Sequence, residues 1–226
     1  MKQPDRQMQP NKPPPRLPKR ERTRRQIISA AIGVMAERGL AQFAVQEIAD
    51  RAEVTTGTFY NHFRDRADIV EAVAIWFSAE MMDSAAESRR TLASGSERLV
   101  DGCRRYLSIA RETPSTALLV LELTIASPGM LETIGEFVLA DVRMGVRQKE
   151  FRIFSEQAAV DLVHGYIILA MRQIALRPMP AAYDRFVVAT ILQGLGLSFE
   201  RATALANLKS GGRRESRPVR LGTGRR

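Results

Sequence analysis

At 226 residues, the chain is long enough to bury a hydrophobic core without disulfide bonds or metals. Its single cysteine, Cys103, excludes an intramolecular disulfide framework and fits a reducing compartment. The net charge of +9 is concentrated at the ends, because residues 1–25 carry +7 and residues 207–226 carry +6, whereas residues 26–206 carry −4.

Both basic ends are predicted to be tails outside the folded body. Residues 1–20 contain too much proline for a helix, and residues 1–25 lack the apolar stretch of a secretion signal. The second tail, 209–226, follows a helical pattern that ends near residue 208. Such tails can bind a polyanion, since neutralised phosphates release counterions, or they can remain solvated. The sequence leaves both alternatives open.

The first part of the chain reads as one helix, two short helices and a long helix. Apolar residues repeat at helical spacing from about Glu21 up to Gly39, which suits the end of a helix. The short helices are predicted from Val45 to about Ala52 and over 56–63. The long helix is predicted over 67–88.

The rest of the chain is also predicted to be helical, so the expected fold class is all-α. A small, polar break over 91–96 separates the two parts, and no window approaches 18 consecutive apolar residues, so we expect no membrane-spanning helix. Pro114 should end one helix, and 117–125 is nearly all apolar and therefore buried. The predicted helices are 97–111, 128–149, 156–176 and 182–208.

Two short helices braced by a longer one form the helix-turn-helix pattern. Helices this short are not stable alone in water, so a small core must hold them. Thr56 and Gly57 stand at the start of the second short helix, where backbone N–H groups and a small residue permit close approach to a phosphate. Gln46 and Asn61 carry amides that suit an adenine edge.

Residues 37–70, ERGLAQFAVQEIADRAEVTTGTFYNHFRDRADIV, resemble the TetR family of transcriptional regulators. In that family a glycine turn leads to an "IA..A.V" helix and then to "GT.Y.HF..+..L". The matching positions are Ile48, Ala49, Ala52, Val54, Gly57, Thr58, Tyr60, His62, Phe63 and Arg66. One departure is Ala44, which stands where members commonly carry a capping Thr or Ser.

The resemblance implies operator binding, with Tyr60 and His62 corresponding to a pair that contacts phosphate. Arginines just before the first helix can follow the DNA backbone or enter the minor groove. The residues predicted to contact DNA are Gln46, Thr55, Thr56, Gly57, Thr58, Tyr60, Asn61, His62, Arg66, Arg24 and Arg25.

The helices at 156–176 and 182–208 are apolar nearly all round, so neighbours should cover each on two sides. We predict a two-fold four-helix bundle built from these two helices of each subunit, and the resemblance implies the same. The residues predicted at the dimer interface are Leu162, Val163, Tyr166, Ile167, Val188, Ile191, Leu192 and Leu195. A dimer would present its recognition helices to an inverted repeat.

The resemblance also implies a cavity for a small-molecule effector between the long helix and the bundle. Apolar walls that contain methionine favour an apolar ligand, although the same side chains can serve as ordinary core. The predicted wall residues are Trp76, Phe77, Met81, Cys103, Tyr106, Leu118, Leu121, Phe137 and Met171. His164 reads as a helix histidine with its own partners, and the compound is not identified.

Together these features predict a ligand-responsive repressor that binds a palindromic operator as a homodimer and is released by a small apolar effector. The predicted layout is a basic tail (1–20), a helix-turn-helix domain (21–66), a ligand-binding and dimerisation domain (67–208, with 67–88 connecting) and a second tail (209–226). An activator of the same fold and a helical adaptor without operator specificity remain alternatives. No enzyme, cofactor or metal is expected, since the sequence carries two histidines, one cysteine and no phosphate loop. We expect the protein in the bacterial cytoplasm, at the nucleoid.

Overall fold

The computed structural model describes residues 18–208, apart from the side chains of residues 87 and 88, so both predicted tails lie essentially outside it. Over these residues the chain forms helices without strands. The helices are α1 (Lys19–Arg38), α2 (Val45–Arg51), α3 (Thr56–Tyr60), α4 (Arg66–Thr91), α5 (Gly95–Glu112), α6 (Pro114–Ala126), α7 (Pro128–Arg147), α8 (Glu156–Leu176), α9 (Tyr183–Gly194) and α10 (Phe199–Asn207). The predicted all-α class, with an N-terminal helix-turn-helix and a C-terminal helical domain, is confirmed.

Helices α1 to α3 enclose a small core that the sequence pattern anticipates. Ile27, Ile48 and Phe59 are fully buried, and Phe63 packs on Phe59 with ring centroids 5.5 Å apart. The turn between α2 and α3 contains Glu53 in the left-handed region, at φ 52°. This core holds the five-residue helix α3, which has too few residues to be stable alone.

The start of α2 uses a substitute for the missing cap. Ala44 offers no side-chain acceptor, but the Glu47 carboxylate accepts the Ala44 backbone N–H at 3.1 Å. Glu47 also pairs with Arg38, the last residue of α1, at 3.0 Å. The helix start is therefore held from its third position, and the same carboxylate ties it to α1.

Helix α4 connects the two domains and is longer than predicted. Asp65 caps it by accepting the Asp68 backbone N–H at 2.8 Å, and the helix continues to Thr91. Its buried line includes Ile69, Val73 and Phe77, and it packs against α1, α6 and α7. The polar break between domains is accordingly shorter than the predicted 91–96.

In the C-terminal domain, α5 to α9 pack around one continuous apolar core. Pro114 does not only stop α5: it occupies the first turn of α6, where its missing N–H costs no hydrogen bond. Within the described residues, α8 is long and apolar enough to cross a membrane. Its contacts with four neighbouring helices identify it instead as the central helix of this domain.

The prediction of a single helix over 182–208 is wrong, because two helices, α9 and α10, occupy this segment. The chain breaks after Gly194, because Gly196 adopts φ 97°, a left-handed conformation that α-helical residues do not take. Ser198 then starts α10 by accepting the Arg201 backbone N–H at 3.3 Å. Helix α10 packs back on α9, so the apolar residues of α9 that face inward are covered within the same chain.

Candidate functional site

Hydrogen bonds between side chains of α2 and α3 set the geometry of the predicted DNA-binding surface. The Thr56 hydroxyl donates to Gln46 Oε1 at 2.7 Å, and Gln46 Nε2 donates to Asp50 Oδ1 at 2.7 Å. Thr55 Oγ1 accepts the Thr58 backbone N–H at 3.1 Å and caps α3. The polar groups predicted to meet DNA are thus already oriented by one another.

Helix α3 presents several residues to solvent. Tyr60 is 53% exposed, and its ring packs edge-on against Phe59 with centroids 5.4 Å apart. Gly57 and Asn61 are also exposed. The Tyr60 hydroxyl therefore projects from a ring that the core holds in place, which suits contact with a phosphate.

Charged and ionisable side chains flank α3. Burial, and then the positive charge of α1 arginines, lowers the pKa of His62, so its imidazole is neutral at pH 7. The Arg24 guanidinium stacks on the Phe63 ring at 4.7 Å. Arg25 pairs with Glu21 at 3.0 Å on the exposed side of α1. Both predicted arginines lie within α1, which begins at Lys19, and not before the first helix as predicted; Arg25 is on the more exposed face.

Arg66 has a structural role that the sequence did not indicate. Its guanidinium donates to the carbonyls of Leu40 and Ala41 at 3.1 and 3.3 Å and stacks on Phe43 at 4.2 Å. From the other domain, Glu122 on α6 accepts the Leu40 backbone N–H at 2.7 Å. The loop between α1 and α2 is therefore held jointly by the start of α4 and by α6.

A cavity of about 100 Å³ lies in the C-terminal domain between α4, α5, α6, α7 and α8. Its wall is almost entirely apolar. Six predicted residues line it: Met81, Cys103, Tyr106, Leu121, Phe137 and Met171. Three predicted residues do not line it. Trp76 and Phe77 in the middle of α4, and Leu118 on α6, point away from the cavity and pack in the surrounding core.

One end of the cavity is charged, which the sequence analysis missed. Arg89 on α4 forms an ion pair with Asp141 on α7 and stacks on the Phe137 ring at 5.0 Å. Burial raises the pKa of Asp141 to about 6, although the Arg89 charge opposes the shift. Helical periodicity could have placed Arg89 and Asp141 on the inward faces of their helices. It could not show that the two side chains pair, because α4 and α7 lie far apart in the sequence.

His164 also lies in the cavity wall. The prediction that its ring nitrogens both have hydrogen-bond partners is wrong for one of them. Its ring is hydrogen bonded to the backbone of Ile134, while Nε2 is buried without a partner among the described residues. Burial lowers the pKa of His164, so the ring is neutral at pH 7. Burial also raises the pKa of Cys103 to about 12, so the thiol in this wall stays protonated.

Most of the residues predicted at the dimer interface are buried inside one subunit. Six of them are at most 6% exposed: Val163, Ile167, Val188, Ile191, Leu192 and Leu195. These side chains point toward α5, α6 and α10, and Val163 and Ile167 line the cavity. Leu162 and Tyr166 are the two that remain partly exposed.

An apolar surface nevertheless runs along α8 and α9. On α8 it consists of Leu162, Tyr166 and Leu169, spaced three or four residues apart, and Leu169 is 49% exposed. Phe186 on α9, 63% exposed, extends it, and the intervening Gly165 adds no side chain. We call these residues the α8–α9 face.

The N-terminal domain matches known regulatory proteins. The family model described as "Bacterial regulatory proteins, tetR family" matches residues 27–73, from α1 into α4. The HTH-type transcriptional regulator TtgR of Pseudomonas putida is 40% identical over 91 residues, which cover 38% of this chain and 40% of TtgR. The matched segment therefore spans about two fifths of that relative.

Solved structures resemble the chain over most of its length. RolR in complex with resorcinol superposes with a TM-score of 0.69 at 25% identity, over 84% of this chain and 95% of RolR. The transcriptional regulator FadR from Bacillus subtilis, in complex with stearoyl-CoA, has a TM-score of 0.66 at 20% identity, over 75% of this chain and 98% of FadR. The likeness to FadR shows the fold. TtgR and FadR are transcriptional regulators, which agrees with the prediction that the chain is not an enzyme.

Proposed function

We propose that this chain is a regulator of the tetR family, whose model matches residues 27–73, and that it acts as a ligand-released repressor. It binds an inverted-repeat operator as a homodimer, and a small molecule in the C-terminal cavity lowers its affinity for that operator. The observation that carries the proposal is the connection of the cavity helices α4 and α6 to the loop that supports α2.

DNA contact is assigned to α3 and to the start of α2. Tyr60 projects from the surface on a ring that is packed against Phe59, and Gln46 and Thr56 are joined by a hydrogen bond on the same side. A hydroxyl and an amide held in this way can meet phosphate and base edges with little further loss of side-chain freedom. The arginines of α1 add positive charge beside the surface.

Dimerisation is assigned to the α8–α9 face. An exposed apolar patch on two neighbouring helices is the surface that a two-fold four-helix bundle buries. Two recognition helices would then lie about one turn of DNA, roughly 34–36 Å, or a multiple of it, apart. This arrangement keeps the predicted bundle but uses different side chains of the same helices.

Release by a ligand is assigned to α4 and α6. Met81 on α4 and Leu121 on α6 line the cavity, and each helix also bonds to the loop between α1 and α2, through Arg66 and Glu122. A ligand that displaces either helix would tilt the helix-turn-helix and change the spacing of the two recognition helices. RolR and FadR, which share the fold, were solved with resorcinol and stearoyl-CoA.

Selection of bound sequences from a random DNA pool, using the full chain, tests the DNA-binding part. We expect an inverted repeat to be enriched, with affinity that falls steeply as salt is added. Tyr60→Phe should weaken operator binding by about tenfold without changing the melting temperature, because a hydrogen bond to a phosphate is lost and no internal one.

Tyr183→Phe, which removes a hydroxyl far from α3, is the matched control and should bind the operator like the wild type. Recovery of unrelated sequences, or equal affinity of the Tyr60→Phe variant, would contradict the proposal. Transcription in vitro from a promoter that carries the selected operator then distinguishes a repressor from an activator.

A further inference from the structure

Resting on the proposed effector role of the cavity, we infer that its ligand is a neutral, ring-sized molecule that donates a hydrogen bond through a hydroxyl group. The simplest such molecule is a phenol. Three features of the cavity indicate this class of ligand: its volume, the ion pairs of the arginines in its wall and the orientation of the polar atoms in that wall.

The volume limits the ligand to about one ring. The cavity measures about 100 Å³, and an engineered apolar cavity of roughly 150 Å³ is known to accept benzene. Side chains such as Met81 and Met171 can adjust by small rotations, which permits modest substituents. A long acyl chain would require the helices to separate.

Two of the three cations at the charged end are paired with carboxylates, which weakens their attraction for an anion. Arg89 pairs with Asp141, and Arg105 donates to Asp101 at 2.9 Å. Arg98 donates to the backbone carbonyls of Leu92 and Arg89 at 3.1 and 2.8 Å. An anionic ligand would bring a second negative charge close to Asp141 and would lose its hydration inside an apolar wall, which is costly.

The side-chain hydroxyls of three wall residues direct their protons to their own helices. Ser78, Thr124 and Thr133 donate to the backbone carbonyls four residues earlier, at 3.1, 2.8 and 2.8 Å. Their oxygen atoms can then act only as acceptors toward the cavity. Tyr106 adds a neutral hydroxyl to the wall, since burial raises its pKa.

His164 supplies the acceptor that lacks a partner. One ring nitrogen is occupied by the hydrogen bond to the Ile134 backbone, whose carbonyl can accept only a ring N–H. In a neutral imidazole the other nitrogen, Nε2, then carries a lone pair and no proton. Within the described part of the chain, buried Nε2 meets no hydrogen-bond donor, and leaving such an acceptor unpaired costs free energy. His164 lines the cavity, and a ligand hydroxyl would remove that cost once a small rotation of the ring turns Nε2 toward it.

Calorimetric titration of the full chain with four matched probes tests the ligand class. Phenol carries the donor, anisole replaces it by a methyl ether, toluene has no polar group and benzoate is an anion. We expect phenol to bind roughly tenfold more tightly than anisole or toluene, and benzoate to bind most weakly. Equal binding of phenol and anisole, preference for benzoate, or no binding of phenol would overturn the inference.

Variants of His164 test the assigned acceptor. His164→Phe should weaken phenol binding roughly fivefold to tenfold and leave toluene binding nearly unchanged, whereas His164→Gln retains a carbonyl oxygen and should recover much of the phenol affinity. Gln157→Phe, at an exposed position of the same helix outside the cavity wall, is the control and should bind phenol normally. Thermal unfolding checks that each variant is folded. Unchanged phenol affinity in His164→Phe would remove His164 from the site.

Operator binding is measured separately, by fluorescence anisotropy with and without each probe. If operator DNA binds but phenol is not preferred, the ligand class is wrong and the proposed function stands. If no operator is bound, the proposed function is wrong whatever the cavity binds.

Discussion

Asp141 and His164 are polar residues in an apolar wall, and burial drives both toward their neutral forms. The pKa of Asp141 is raised to about 6 and that of His164 is lowered, because a charged group loses its hydration when it is enclosed. For Asp141 the ion pair with Arg89 opposes the shift without cancelling it. The stability of this domain should therefore respond to mildly acidic pH.

The first prediction is that Asp141 stabilises the fold more at pH 4 than at pH 7. The folded protein keeps this proton up to about pH 6, whereas an unfolded chain releases it near pH 4, so the folded state binds more protons in that interval. The difference in free energy of unfolding between the wild type and Asp141→Asn should fall as pH rises from about 4 to about 6 and then level off.

Urea denaturation of both proteins in one buffer series measures this difference. The contributions of His62 and His164 are common to the two proteins and cancel, which provides the internal control. A difference that stays constant over the same interval would contradict the raised pKa of Asp141.

At the scale of helices, two close contacts position the C-terminal domain. Gly95, at the start of α5, lies against the backbone of α7, where an added Cβ would come within 2.3 Å of the Gly145 nitrogen. Gly145 in turn faces the Phe151 ring. Backbone atoms cannot move aside as a flexible side chain can, so this crossing requires glycine.

We expect Gly95→Ala to lower the free energy of unfolding by about 3 kcal/mol, because the helices must separate. Gly102→Ala on the same helix is the matched comparison, since its Cβ would meet nothing within 4 Å. That change should leave stability equal or raise it by up to about 1 kcal/mol through helix propensity. Equal destabilisation of both variants in thermal unfolding would show that the α5–α7 crossing is not the cause.

Glu122 on α6 is the second contact, because it joins the cavity domain to the loop after α1. Glu122→Ala should speed hydrogen exchange at the Leu40 amide and reduce the effect of a bound ligand on operator affinity. Ligand affinity of the free protein should change little, since this carboxylate does not line the cavity. The exposed Glu132 on α7 provides the control, as Glu132→Ala. Wild-type coupling in the Glu122→Ala variant would exclude this route.

For the whole molecule, function depends on a surface that one subunit leaves uncovered. Leu169 and Phe186 expose large apolar side chains on adjacent helices, whereas the apolar residues of α9 that face inward are covered by α10 and α5. A single subunit carries one helix-turn-helix and can occupy one half-site. Operator affinity should therefore follow the oligomeric state.

We predict that Leu169→Glu combined with Phe186→Glu yields a folded monomer that has lost most of its operator affinity. Both positions are exposed, so the subunit should retain its melting behaviour apart from the loss of the interface. Ile125→Glu changes an apolar residue that is 84% exposed on α6, outside the α8–α9 face, and should remain dimeric. Sedimentation equilibrium measures the outcome, and a dimeric double variant would exclude this face.

The sequence predicted the helix-turn-helix well because its determinants are local. Apolar spacing in Ile48, Phe59 and Phe63 defines the faces of short helices, and Thr55 caps α3 whatever the rest of the chain does. The cavity was predicted in part, since Met81 and Tyr106 lie on faces that helical periodicity can identify. Its polar wall was not, because Arg89 meets Asp141 only after α4 packs on α7.

By itself, the sequence determined the helical class, the DNA-binding motif and most helices of the second domain, but not the break that divides 182–208 into α9 and α10. Only the tertiary structure decided which faces of those helices are inside. Helices α8 and α9 are apolar on several sides, so periodicity does not distinguish a side chain such as Leu192, which is buried in its own subunit, from Phe186, which remains for a partner. That choice depends on the turn at Gly196, which returns α10 onto α9, and therefore on contacts between residues that lie far apart in the chain.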